Sequence, residues 1–196
     1  MVRVLVIGDT HIPDRANDIP RALKEVIDSS MPWDAVVFTG DLTSESILKW
    51  IRSLSNRVYV VRGNMDYLPL PKTAIFEVEK CTIGVHHGDG FYPRGDVVRL
   101  TKIAHSLGVS VLISGHTHAD FVKVGSTGKE LLINPGSLTG VWGGGGGSYM
   151  PSFVVLEITR ETIYITTYRA EGVYLKKSVH RATRTSNGGW TAEKLA

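Results

Sequence analysis

"VRVLVIG" at residues 2–8, "DAVVFTG" at 34–40 and "RVYVVRG" at 57–63 decide the fold. Each is a short apolar run, rich in β-branched residues, closed by glycine and too brief for a helix. Two segments of helical period separate them. "IPRALKEVIDS" (19–29) has Asp18 as its N-cap and Pro20 in its first turn. "SESILKWIRSLS" (44–55) places Ile47, Leu48, Ile51 and Leu54 on one face. The resulting β-α-β-α-β order predicts parallel strands joined by crossover helices.

Beyond residue 70 the rhythm changes. "AIFEVEK" and "CTIGVHHG" (74–88) read as a strand pair, and "DVVRLTKIAHSLG" (96–108) as a helix stopped by Gly108. "VSVLISG" follows, and then "FVKVGSTGKELLINPG" and "SFVVLEITRETIYITTYRA", each two alternating strands around a turn. A parallel half followed by an antiparallel half predicts an α/β fold of two β-sheets packed face to face, a β-sandwich with helices outside. No linker divides the chain, so one domain over residues 1–196 is expected. Residues 180–196 are read as a flexible or peripheral basic tail. "GGGGGS" (143–148) reads as a flexible surface loop, since it lacks the lysine and following helix of a phosphate loop.

At 196 residues, with 42% apolar and 21% charged residues, the chain has the composition of a globular protein that buries a sizeable core. A net charge of +3 and a pI of about 9.0 leave nucleic acid open as a partner without indicating it. Cys81 is the only cysteine, which excludes an internal disulfide and suits a reducing compartment. No apolar stretch reaches membrane-spanning length and no signal peptide is legible, so a cytoplasmic location without membrane contact is expected.

Polar residues follow almost every predicted strand. "GDTH" supplies Asp9 and His11, "TGD" Asp41, "RGNMD" Asn64 and Asp66, "HHGD" His86, His87 and Asp89, and "GHTH" His116 and His118. The carboxyl ends of strands are where ligands bind in open α/β sheets. Singly, each motif is an ordinary turn or hydrogen-bonded histidine. Together, carboxylates and imidazoles crowded at one edge repel or desolvate one another unless a cation sits among them. The set holds no thiolate, and mixed nitrogen and oxygen donors suit borderline divalent ions.

In this order, "GDTH", "GD", "GN", "HG" and "GHTH" resemble the calcineurin-like metallophosphoesterases, over residues 3 to about 168. "VLVIGDTHIP", "ISGHTHAD" and "INPGS" resemble the small archaeal and bacterial phosphodiesterases of that superfamily most. They also resemble a retromer subunit that acts mainly as a protein-binding scaffold. The resemblance implies the four-layer metallophosphoesterase-like fold and two divalent ions per chain, among manganese, nickel, iron, cobalt and zinc. It assigns Asp9, His11 and His118 to the first ion and Asn64, His87 and His116 to the second, with Asp41 bridging. His87 is chosen over His86 because the family pairs the ligand with a following glycine.

The implied reaction is hydrolysis of a small phosphodiester by a metal-bridging hydroxide, with catalysis carried by Asp9, Asp41, Asn64, His87 and His116. The non-catalytic scaffold is the alternative. Gly8, Gly40, Gly63, Gly88 and Gly115 are expected to let the backbone turn closely around the site. Arg62 and Arg94 are candidates to hold a phosphate oxygen, and Asn134 reads as a turn or supporting residue. Two positions depart from the family pattern. Met65 stands where many members carry a histidine that protonates the leaving group, and Asp89 replaces a second histidine. The substrate's identity, the native metal and a homo-oligomer stay open.

Overall fold

The computed structural model describes residues 1–195. Its elements are β1 (Val2–Ile7), α1 (Arg21–Ser29), β2 (Ala35–Phe38), α2 (Glu45–Ser53), β3 (Val58–Val60), β4 (Thr73–Val78) and β5 (Cys81–His86). They continue with α3 (Val97–Leu107), β6 (Val111–Ser114), β7 (Asp120–Val124) and β8 (Leu131–Pro135). Last come β9 (Ser152–Ile158), β10 (Thr162–Glu171), β11 (Tyr174–Arg184) and β12 (Trp190–Lys194).

Two sheets form, in the orders β12-β11-β10-β9-β1-β2-β3 and β4-β5-β6-β8-β7. The predicted parallel trio is present: β1 pairs with β2, and β2 with β3, all parallel. The expected division into a parallel half and an antiparallel half does not hold. β9 returns to pair antiparallel with β1, while β5, β6 and β8 are mutually parallel, so each sheet is mixed. Local alternation fixes which residues face the core but carries no record of which distant strand is the neighbour.

Strand β1 explains the layering. Val4 and Val6 face the second sheet, where they pack with Ile83, Val85, Val111 and Ile113. Leu5 and Ile7 face outward against Leu23 and Ile27 of α1 and Ile51 of α2. A strand covered on both faces has no polar side, hence its continuous apolar run. On the far side, Leu100 and Ala104 of α3 cover Leu112 and Leu132. The result is a β-sandwich with helices on both outer faces. Each Leu or Ile buried this way contributes roughly 1.5–3 kcal/mol relative to exposure.

The helix ends follow local chemistry. Ser44 caps α2 by accepting from the Ile47 N–H, and Asp96 caps α3 by accepting from the Arg99 N–H. Gly108 ends α3 in the left-handed conformation, as its position predicts. The start of α1 is a correction: it begins at Arg21, two residues late, because Pro20 is extended and Asp18 accepts only from the adjacent Ile19 N–H.

Of the two expectations for the basic tail, flexible or peripheral, its ordered strands fit the peripheral one. Residues 180–184 complete β11 and residues 190–194 form β12, the edge strand, while residue 196 lies outside the described residues. What fixes them is Trp190, 4% exposed, whose indole N–H donates to the Ser110 carbonyl at 3.0 Å and whose ring lies under Arg184. Among the described residues no helix is long and apolar enough to cross a membrane. Trp190→Ala is expected to cost about 3–5 kcal/mol, the range for emptying a buried large aromatic site. Urea unfolding checks it; a loss below 1 kcal/mol, as for a frayed end, would contradict the packing (about 0–0.5 kcal/mol for surface changes).

Candidate metal centre

The predicted site residues converge where the strands of both sheets end. Asp9 and His11 follow β1, Asp41 follows β2, Asn64 follows β3, His87 follows β5, and His116 and His118 follow β6. Backbone bonds hold the loops together: the Asp9 N–H donates to Gly40 O and the His11 N–H to Asp41 O, both at 3.0 Å. Asp9, His11, Asp41, His87 and His118 are buried, while Asn64 is exposed and His116 half-buried.

The donor atoms face one another. His11 Nε2 and His118 Nε2 are 3.1 Å apart, and His118 Nε2 is 3.5 Å from Asp9 Oδ1. Asp41 Oδ2 lies 3.5 Å from His11 Nε2 and 3.3 Å from His87 Nε2, and His87 Nε2 is 3.2 Å from Asn64 Oδ1. The His116 ring stands edge-on to His87 with centroids 5.1 Å apart. Two clusters have ligand atoms within 4.8 Å of one another: Asp9, His11 and His118, and Asp9, Asp41 and His87.

Hydrogen bonds fix the orientation of two rings. His87 Nδ1–H donates to the Thr39 carbonyl at 2.8 Å, and His118 Nδ1–H to the Val141 carbonyl at 2.7 Å. A carbonyl only accepts, so each ring turns a bare Nε2 lone pair into the site when neutral. Lone pairs of His87, Asp41 and Asn64 then converge with no proton among them, and those of His118, His11 and Asp9 do likewise. His11 Nδ1 is buried without a hydrogen-bond partner. Such a donor set fits divalent cations, and in their absence only protons relieve it.

The titration behaviour records that crowding. Burial pushes Asp9 up to about 8, against the pull of His87. Burial also raises Asp41, but the hydrogen bond and charge of His87, the Met65 N–H and His11 outweigh it and hold Asp41 at about 2. Burial lowers His87, yet the Asp41 hydrogen bond and the Asp9 and Asp41 charges raise it to about 9. His11 and His116 are lowered by burial to about 4.

The backbone is strained here as well. Asp9, His11, Asp41, His116 and His118 all have φ between 46° and 68°, a left-handed region costing non-glycine residues on the order of 1 kcal/mol each. Gly40, at φ 104°, passes so close to Gly63 that a Cβ would lie 2.6 Å from the Gly63 nitrogen.

Of the supporting residues, Asn134 was legible as such and Asp66 and Ser137 were not. Asp66 is 4% exposed and accepts four backbone N–H bonds, from Asp41, Leu42, Thr43 and Gly63, at 2.8–3.0 Å. Ser137 Oγ donates to Asp9 O at 2.7 Å, and Asn134 donates to Gly115 O at 2.7 Å while accepting from the Gly136 N–H. Asn134 is thus the supporting residue expected. The glycine run is the expected surface loop, with Gly145 and Gly146 open to solvent, but its first residues pack on the site. Gly143 packs on the His118 ring so closely that any Cβ would strike it, and its carbonyl accepts from Arg94. Arg15 donates to Trp142 O at 2.9 Å and lies over the Trp142 ring. Neither Arg15 nor Trp142 stands in a motif, so only the fold connects them to the site.

Two cavities open on this centre and meet at Asn64. One, of about 230 Å³, is walled by Arg15, Met65, Arg94, His116 and Trp142. The other, of about 380 Å³, is walled by Arg62, Lys72, His86 and Asp89. His86 therefore lies beside the second cavity, with its Nδ1 accepting from the Gly88 N–H at 2.8 Å, while His87 is the ring turned to Asp41.

A buried cluster of carboxylates and imidazoles at the strand ends of a helix-flanked β-sandwich is the framework of metal-dependent phosphoesterases. The chain belongs to the calcineurin-like phosphoesterase superfamily, whose domain profile matches residues 2–185. It is 46% identical over 134 residues to a probable metallophosphoesterase of Methanocaldococcus jannaschii, across 68% of this chain and 67% of that one. In fold it is similar to vacuolar protein sorting 29 from Cryptosporidium parvum, with a TM-score of 0.86 at 23% identity over 93% of this chain and 98% of that one. Wild-type Vps29 from Entamoeba histolytica, complexed with zinc, matches with a TM-score of 0.81 at 31% identity, over 91% and 98% of the two chains.

The metal-free protein responds to pH in opposite senses on the two sides of neutrality. Between pH 4 and 6.5 the folded site refuses protons at His11 and His116 that the unfolded chain accepts, and two such groups outweigh the opposing Asp9. Stability therefore rises with pH in that window. Between 6.5 and 8, Asp9 and His87 hold protons that the unfolded chain has released, so stability falls as pH rises. Urea unfolding of chelator-treated protein is expected to show a maximum near pH 6.5. Divalent metal is expected to displace those protons and stabilise more at pH 8 than at pH 6.5. A monotonic rise without metal would contradict this charge arrangement.

Proposed function

We propose that the chain is a dinuclear metal-dependent phosphodiesterase. The observation that carries the reading is Asp41 Oδ2, set between His11 Nε2 and His87 Nε2 at 3.5 and 3.3 Å. A carboxylate so placed would be shared by two ions. Asp9, His11 and His118 would hold the first and Asn64, His87 and His116 the second. When bound, such ions activate water and offset the charge that develops on a phosphoryl group.

The remaining work falls to the chain. Thr39 O and Val141 O keep the rings aimed, and Asp66 keeps the Asp41 turn closed. Arg94, held by Gly143 O and by His116 O at 3.5 Å, adds a cation beside His116 for a phosphate oxygen. Diester preference is supported by the two cavities flanking Asn64, which leave room for a substituent on each side of a phosphate.

The scaffold reading is favoured by one observation, the fold likeness to Vps29 structures. Metal content does not separate the two readings, because one Vps29 is itself complexed with zinc. Turnover does. Metal-loaded protein is expected to hydrolyse activated phosphodiesters, to lose the activity on chelation and to regain it with manganese or nickel. Asp41→Asn is expected to weaken both metal sites and His118→Ala mainly the first, as read by metal analysis per chain. Metal-loaded protein that cleaves no phosphoester would replace the enzyme reading with the scaffold.

Met65 sharpens the expectation. It lines the cavity, 42% exposed, and a thioether donates no proton, whereas general acid catalysis contributes about 10²–10⁴-fold when the departing oxygen needs one. Rate is expected to depend steeply on leaving-group pKa, with aryl esters far ahead of alkyl esters. Met65→His is expected to flatten that dependence, although Asp66 has both carboxylate oxygens committed to backbone and would not orient the new ring. Parallel slopes for the two proteins at equal metal occupancy would contradict a general-acid position at residue 65.

A further inference from the structure

The two cavities that meet at Asn64 differ in chemistry. On the Trp142 side both guanidiniums are tied to backbone carbonyls, Arg15 to Trp142 O and Arg94 through Nη1 to Gly143 O and His116 O, which leaves Arg94 only its other N–H groups for the scissile phosphate. On the other side Arg62 and Lys72 both line the cavity. Their adjacency is built in, because the Arg62 N–H donates to Pro71 O at 2.7 Å, tying the turn after β3 to the segment before β4. Neither side chain forms an ion pair or hydrogen bond with a described residue, although Asp89 lines the same cavity. The cavity thus holds two uncommitted cations against one carboxylate. His86 adds a donor: its Nδ1 accepts from the Gly88 N–H, which leaves the ring proton on Nε2.

We infer that the Arg62–Lys72 cavity is a subsite for a second phosphate, carried by the substrate on the group that stays attached to the scissile phosphoryl. This rests on the phosphodiesterase reading and narrows it to small diesters with a further phosphate, such as a phosphorylated nucleoside. A guanidinium offers the planar fork that binds phosphate in two bonds, and an ammonium beside it adds a point charge. At about 380 Å³ the cavity has room for such a group.

The test compares two p-nitrophenyl esters of a nucleoside 5′-phosphate, one bearing a 3′-phosphate and one not, so that the leaving group is constant. The doubly phosphorylated ester is expected to show a KM roughly 10-fold lower, and the preference is expected to shrink as salt rises, as partly exposed charge pairs require. Lys72→Ala and Arg62→Ala are each expected to reduce the ratio of the two KM values, and Lys72→Glu to invert it. Calorimetric binding of the nucleoside 3′,5′-bisphosphate against the 5′-monophosphate to metal-loaded protein reads the same subsite without turnover. Equal KM values and equal affinities, or a preference untouched by Lys72→Glu in folded protein, would overturn the subsite. A bisphosphate preference lost in Lys72→Glu, with neither ester hydrolysed, would keep the subsite and overturn the hydrolytic reading instead.

Discussion

The Asp66 carboxylate is the constraint on which the centre depends. Two oxygens accept four backbone N–H groups, three from the turn after β2 and one from the turn after β3. Both turns would otherwise leave buried donors unpaired, at about 1–3 kcal/mol each. Because the bonds reach from one strand end to the next, they also set the position of Asp41 relative to Asn64. Asp41 in turn is held by the Met65 N–H at 2.8 Å, so the residue after Asn64 is fixed by the carboxylate that the site is built around. The sheet supplies parallel strand ends, and Asp66 converts two of them into one rigid frame.

That frame supports an arrangement that is unfavourable taken alone. Buried acceptors face acceptors, five of the candidate ligand residues sit in left-handed backbone, and His11 Nδ1 has no partner. The sandwich beneath it is the opposite case, an apolar core in which strands β1, β2 and β6 are buried throughout or nearly so. Core burial offsets local strain only if the strained segment is short and anchored at both ends, which is how each loop is built. The Asp9 turn, for example, is fixed by Gly40 O, by Ser137 Oγ and by the His116 N–H at 3.0 Å.

What the sequence made legible was local or ordered along the chain. The strand runs, the helix faces, Ser44 and Gly108 as end signals and the ordered aspartate and histidine motifs depend on near neighbours or on a recurring order. The sheet assignment of β9–β12 was not legible, since alternation in "SFVVLEI" is the same whichever sheet it joins. Nor was the role of Asp66, which in sequence is one more acid after a turn. The glycine run shows the limit most clearly. Composition describes it as featureless, but Gly143 has no side chain because an imidazole lies against it. The same reasoning applies to Trp190, whose indole anchors a stretch that charge alone presented as a tail.

The site therefore has two kinds of part. The candidate ligands, buried apart from Asn64 and His116, are held by backbone groups, whereas the walls beside them are exposed side chains on loops: Met65, Trp142, Arg62 and Lys72. Changes at the walls leave the frame intact, because none of their side chains supports a ligand or a strand end. Changes at Asp66, Asn134 or Ser137 move the ligands without touching any substrate. Substrate choice on this reading resides in the walls and the power to act on phosphoesters in the frame. On the same reading a Met at position 65 is a change of wall, which would alter the range of leaving groups while the Asp41-centred frame stays as it is.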